Sequence, residues 1–269
     1  MAVVDAVVKC GGDVLSGAAL AAVAADLFRV REDGRRFIVV HGGGPQTTEL
    51  SRKLGIEPRL VGGRRITDAA ALDVVKMVVA GRLNVDLVAA LRGAGVPAVG
   101  LSGSSGVVRA QRRPPRAVSG SDGALIDFGF VGDVTGFDGA LLDALAAAGA
   151  VPVVACLGAG PSGEVLNINA DVVASQMAAA VHARALVACT AVGGVRRDKD
   201  DPATRLSRLT VAEARAAIAD GTVQGGMIPK LEEAFAPLGA GVGAVHIVAP
   251  GEIAPSLAAP GTTGTLLVP

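Results

Sequence analysis

Short runs rich in β-branched residues alternate along this chain with Ala/Leu-rich stretches of helical period. A strand can be followed by a parallel neighbour only if a helix-length connection carries the chain back, so this alternation predicts an α/β fold with a mainly parallel central sheet. The spacing places strands near Ala2 to Lys9, Arg36 to Val40, Ala98 to Leu101, Val151 to Ala155, Ala185 to Cys189 and Val245 to Val248, with helices between most of them. In such sheets the loops at the carboxyl ends of the strands carry the site.

Between Gly106 and Val134 the pattern changes to short alternating pieces with Pro114-Pro115 and Gly120, which reads as a hairpin region rather than a βαβ unit. Its arginines, Arg109, Arg112, Arg113 and Arg116, read as a solvated basic turn without a role. A second exposed loop is expected over Lys199 to Leu206, and there is no internal repeat or long linker. With 25 basic and 25 acidic residues the formal charge is zero, which argues against nucleic acid or an anionic membrane as partner. The apolar runs are far shorter than the roughly 20 residues of a membrane span. The N-terminus passes straight into a strand without the features of a signal peptide, so a cytoplasmic location is expected. Cys10, Cys156 and Cys189 stand apart in apolar contexts and read as buried free thiols. Aromatic residues make up 2% of the chain, leaving no stacking platform for bases or sugars.

Two strand-to-helix junctions are rich in glycine. The first strand ends in Lys9-Cys10-Gly11-Gly12, and the next junction reads His41-Gly42-Gly43-Gly44-Pro45. Glycines let backbone N–H groups approach an anion, a lysine adds charge, and a helix N-terminus favours negative charge. Neither the P-loop pattern nor a dinucleotide-binding pattern is present. Later come Asn167-Ile168-Asn169-Ala170-Asp171 ahead of an Ala-rich helix, where Asp171 would serve equally well as that helix's cap, and Gly225-Gly226-Met227-Ile228-Pro229-Lys230. Two glycine-bounded lysines, an aspartate, a triple-glycine turn and no cysteine or histidine ligand set describe phosphoryl-transfer machinery, which needs positive charge and N–H donors on phosphoryl oxygens. A carboxylate acceptor would need no catalytic base, since with a pKa near roughly 4 it is already ionised.

Seven motifs in order then resemble the amino-acid kinase family nearly end to end: Lys9 to Gly12, His41 to Gly44, Arg64-Arg65-Ile66-Thr67-Asp68, Gly100 to Gly103, Gly129-Phe130-Val131-Gly132-Asp133, Asn167 to Asp171, and Gly226-Met227 to Lys230. The resemblance implies an open three-layer αβα sandwich, with residues 1–183 as an amino-acid-binding and dimerising lobe and residues 184–269 as an ATP-binding lobe. It implies ATP as co-substrate, Mg2+ as cofactor, no protein-held metal, and transfer to the γ-carboxylate of N-acetyl-L-glutamate. The alternative it leaves open is a carrier-protein-linked aminoadipate or glutamate kinase. Carried over by position, Lys9 and Lys230 would neutralise the phosphates and Asp171 would orient both. Gly11 and Gly12 would form the phosphate-binding turn. Gly43 and Gly44 would border the substrate, Arg65 would hold its α-carboxylate, and Asn167 would bind beside it.

The chain departs from the family's usual pattern at three places: Ala191 and Ser105 stand where an Asp is common, and Arg64 where an apolar residue is usual. An extra guanidinium beside Arg65 would suit a more acidic ligand. Arginine-inhibited members carry a further helix before the first strand, so a homodimer without arginine feedback is expected.

Overall fold

The computed structural model describes residues 4–118, 122–198, 201–223 and 227–269. Gly120, Lys199 and the Gly225-Gly226 pair, singled out in the sequence, lie outside the described residues. The N-terminal half runs β1 (Ala6–Cys10), α1 (Gly17–Glu32), β2 (Phe37–His41), α2 (Gly44–Lys53), the hairpin β3 (Leu60–Val61) and β4 (Arg64–Arg65), then α3 (Ala69–Val75), a π-helical stretch (Lys76–Leu83) and α4 (Asn84–Gly93). There follow β5 (Ala98–Ser102), β6 (Val108–Arg112), β7 (Gly132–Phe137), α5 (Gly139–Ala147), β8 (Val151–Ala155), β9 (Leu157–Ala159), β10 (Val165–Asn167) and α6 (Ala170–Ala180). The rest is β11 (Ala185–Cys189), β12 (Val195–Arg196), β13 (Arg205–Leu206), β14 (Arg208–Thr210), α7 (Val211–Ala219), α8 (Met227–Gly239), β15 (Ala244–Val248), α9 (Ile253–Ala258) and β16 (Thr265–Val268).

Eight strands form the main sheet in the order β14-β16-β15-β11-β1-β2-β8-β5. The six from β15 to β5 are parallel and are the six strands expected from the sequence; β16 runs antiparallel to β15, with β14 parallel to β16 at that edge. The central strands read as unbroken apolar runs because both of their faces are covered: every residue of β1, β2 and β8 is buried. The crossovers explain the layers. From β1 through α1 to β2 the chain moves one way across the sheet, and from β11 through α7 and α8 to β15 it moves the other way. Right-handed connections therefore put α1 and α8 on opposite faces. Accordingly α1 packs on α4 and α9, and α8 on α6 and α7.

The hairpin expected between Gly106 and Val134 is β6 paired antiparallel with β7, within a small second sheet of order β10-β9-β6-β7. The region around Leu206 is a short hairpin of β12 and β13. All three cysteines are buried and unpaired, and burial pushes the Cys10 and Cys156 thiols up to about 12. Among the described residues no helix is long and apolar enough to cross a membrane.

Candidate active site

The register of the sheet brings the two glycine junctions together. Lys9 lies level with Val40 of β2 and Ala188 of β11, so β1 and β2 release their glycines side by side. The backbones touch: a Cβ on Gly12 would stand 3.1 Å from the Gly43 Cα and 2.6 Å from the Gln46 Oε1, and one on Gly43 would stand 2.4 Å from the Leu83 Cδ1. Glycine is thus imposed at both positions by close approach, whereas Gly44 has open space around it. Gln46 Nε2 donates to the Gly12 carbonyl at 2.5 Å and pins the first turn to α2.

These loops floor a cavity of about 410 Å3 at the carboxyl ends of the strands. Lys9, Gly11, Gly12, Gly43, Gly44, Arg65, Asn167 and Asp171 all line it. Lys230 meets Lys9 and Asp171 in a small adjoining recess. Another cavity, about 350 Å3, lies at the opposite, amino ends of β1, β2 and β8 and contains none of the candidate residues.

Lys9 is 8% exposed and its Nζ stands 2.7 Å from the Asp171 Oδ1. Burial pulls its pKa down, but Asp171, Glu233 and Asp13 outweigh burial and hold it above the ordinary value, so it stays charged. Lys230, half-buried on α8, is held below its ordinary value by burial and then by the charge of Lys9. Asp171 does not cap α6. That task falls to Asn169, whose Oδ1 accepts from the Asp171 N–H at 3.1 Å, leaving the Asp171 side chain free to face Lys9. Arg65 Nη2 donates to Thr48 Oγ1 at 2.6 Å and to the Gly44 carbonyl at 3.3 Å, which fixes its fork at the cavity wall. Asn167 Nδ2 donates to the Oγ1 of fully buried Thr67 at 3.1 Å, and Thr67 in turn bridges to Gly129, so three of the sequence motifs meet there.

His41, the one histidine near these residues in the sequence, is buried and neutral. Its pKa is pushed down to about 4 by burial. Its Nε2 is 2.9 Å from the Asn84 Nδ2 and its Nδ1 is 3.0 Å from the Gly42 carbonyl, an arrangement satisfied by a proton on Nδ1.

Two features escaped the sequence reading. The basic turn is not wholly solvated: Arg113 is 8% exposed, donates to Asp133 Oδ1 from Nε at 2.9 Å and from Nη2 at 2.7 Å, and with Arg116 and Arg64 lines the cavity. For Arg109 and Arg112 the solvated reading holds, since both lie exposed on the second sheet. The other feature is Glu233 on α8, which reaches both recesses. The available signal was its spacing of three from Lys230, which puts both on one helix face. Of the departures, Ala191 donates its N–H to Asp13 Oδ2 at 2.9 Å.

The sequence pattern of the amino acid kinase family matches residues 6–249. This chain belongs to that family. The acetylglutamate kinase of Sorangium cellulosum (strain So ce56) is 52% identical to this amino acid kinase over 267 residues, 98% of the chain and 94% of the relative. Among solved structures, the N-acetylglutamate synthase of Neisseria gonorrhoeae complexed with coenzyme A and N-acetyl-glutamate superposes with a TM-score of 0.82 at 25% identity, over 98% of this chain and 59% of that one. Carbamate kinase from Giardia lamblia bound to AMP-PNP shares the fold, with a TM-score of 0.71 at 15% identity and 99% of each chain covered. As an amino acid kinase the protein is a phosphotransferase that uses ATP.

Proposed function

We propose that this kinase transfers the γ-phosphoryl group of ATP to the γ-carboxylate of N-acetyl-L-glutamate. The observation that carries the reading is the ion pair of buried Lys9 with half-buried Asp171, set where two touching glycine loops open on one cavity. The 52% identity to an acetylglutamate kinase over nearly the whole chain supports the choice of acceptor.

In the reaction a carboxylate oxygen forms a bond to the γ-phosphorus while the bond to the β,γ-bridging oxygen breaks and its electron pair leaves with ADP. No proton moves, which suits a site whose only nearby histidine is buried and neutral. Lys9 and Lys230 offset charge on the phosphoryl oxygens, the N–H groups of Gly12, Gly43 and Gly44 donate to phosphates and acceptor, Gly11, whose own N–H bonds the Cys189 carbonyl, shapes the first turn, and Asp171 orients Lys9. Arg65 grips the α-carboxylate and Asn167 the neighbouring part of the amino acid. Among the described residues no group of three His, Cys, Asp or Glu side chains could hold a metal. The donor set, lysines and backbone N–H groups, fits polyphosphate, so Mg2+ would ride on the nucleotide's phosphates and neutralise them. Residues 1–183 would hold the amino acid and residues 184–269 the nucleotide, in a homodimer.

Arg64 and Arg116 at the cavity favour a second reading, in which the acceptor is borne by an acidic carrier protein. An assay of ADP formation with hydroxylamine trapping of the acyl phosphate separates the two. Turnover with free N-acetyl-L-glutamate, and none with glutamate, aspartate or carbamate, is expected; silence with free N-acetyl-L-glutamate sinks the first reading.

A further inference from the structure

We infer that Glu233 is a positioning residue of the phosphoryl-transfer site. It shares one proton with Asp171, aims that carboxylate at Lys9, and ties the Lys230-bearing helix α8 to the start of α6. The inference rests on the kinase reading above and adds to it a residue that none of the seven motifs contains.

Four side chains form one chain of contacts. Lys9 Nζ lies 2.7 Å from Asp171 Oδ1. The Asp171 and Glu233 carboxyls share one recess with Lys9 and Lys230. Glu233 Oε1 accepts from Asn169 Nδ2 at 3.2 Å, and Asn169 closes the circuit by accepting from the Asp171 N–H with its Oδ1. Two ionised carboxylates repel and have no hydrogen with which to bond one another, so one proton held between them would join the pair.

Charge points the same way. With both carboxyls ionised, the quartet of Lys9, Lys230, Asp171 and Glu233 would carry no net charge, leaving Arg64, Arg65 and Arg116 to attract polyphosphate. With one shared proton a single positive charge remains. The groups facing Glu233 are Asp171 and Asn169 from α6 and its cap, Lys9 from β1, Lys230 from its own helix and Arg64 from the β3–β4 hairpin. Burial and the charge of Asp171 push the Glu233 carboxyl up to about 7, against the pull of Lys9 and Arg64. The group is therefore protonated below neutrality and loses its proton above it. Phosphates arriving beside it add negative charge and favour the protonated form further.

The test is calorimetry of Mg-ATP binding to the full chain between pH 6 and 8.5, in two buffers of different ionisation enthalpy, with no acceptor present. Near pH 7.5 the parent should take up on the order of half a proton per nucleotide, and its affinity should fall several-fold as pH rises to 8.5. Glu233→Gln keeps a donor for Asp171 and an acceptor for Asn169 without a titrating group; it should bind with that uptake abolished and the profile flattened. Glu233→Ala, checked for folding by thermal melting, should bind more weakly than the Gln variant at pH 6.5. Equal proton uptake and equal slope in the parent and the Gln variant would overturn the role, as would an Ala variant that matches the Gln variant throughout. A parent that binds no nucleotide would instead overturn the kinase reading, and this role with it.

Discussion

Lys9 shows how a cation is kept charged out of water. Burial alone would strip its proton, as it does for His41 and His246, whose pKa values are both pushed down to about 4. The difference is a carboxylate at 2.7 Å. An ion pair of this kind contributes little to stability, because desolvation offsets the attraction; its use is to hold a positive charge where phosphate charge must be met. Lys9→Met, which keeps the stem and removes the charge, should lower kcat by about 10²- to 10³-fold, the scale set by deleting one preorganised donor, in the ADP-release assay. Retention of the parent's kcat would mean that Lys9 is only structural. Unfolding should not account for the loss, because the Asp171 side chain is 28% exposed and can be solvated by water once the cation is gone, which far-UV circular dichroism would check.

At the scale of elements, the π-helical stretch between α3 and α4 shapes the second glycine loop. A π-turn displaces the side chains that follow it from their α-helical positions, and here Val79 and Leu83 come to press on Gly43. An alanine at 43 would meet the Leu83 Cδ1 at 2.4 Å and the Val79 Cγ2 at 3.2 Å. Gly43→Ala should therefore cost about 1–3 kcal/mol of stability, as overpacking does, and move the loop off Gly12. Leu83→Ala creates a cavity by itself, yet the double variant Gly43→Ala/Leu83→Ala should be more stable than the sum of the single effects allows, a non-additivity readable by urea denaturation. Strict additivity would show that the loop yields without cost. On the other face, α6 and α8 meet the sheet from the same side, so the Asn169–Asp171 corner and Lys230 are held by packed helices rather than by loops alone.

For the molecule as a whole, the continuous sheet is what joins the site, since β1 lies between β2, which carries one glycine loop, and β11, which opens the C-terminal half. His246 in β15 is 3% exposed, and burial holds it near pKa 4, so it contributes stability that is present above the unfolded value near 6.5 and lost as pH falls toward 4. His246→Leu should abolish that loss: relative to the parent, the variant's unfolding free energy should rise by up to about 1.4 kcal/mol per pH unit between pH 6.5 and 4.5. The comparison cancels the opposite contributions of Asp26 and Glu233, whose folded-state values are raised. A constant difference across that range would contradict a buried neutral histidine. The alternation of apolar strands with helical stretches, read from residues alone, determined the six parallel strands and placed both glycine junctions at their carboxyl ends, because burial on two faces leaves an unmistakable apolar run. It marked Lys9 and the two glycine junctions as candidates too, since glycines and a lysine beside strand ends carry their own chemical reason, whereas Arg65 and Asn167 came with the family resemblance. Strands β14 and β16 were invisible, being only three and four residues long. Whether Asp171 or Asn169 caps α6, which arginines of the basic turn face the cavity, and that Glu233 bonds Asn169 were decided only by tertiary structure. Each depends on the distance between segments far apart in the chain, as Asn169 and Glu233 are, and no local pattern of residue types encodes that distance.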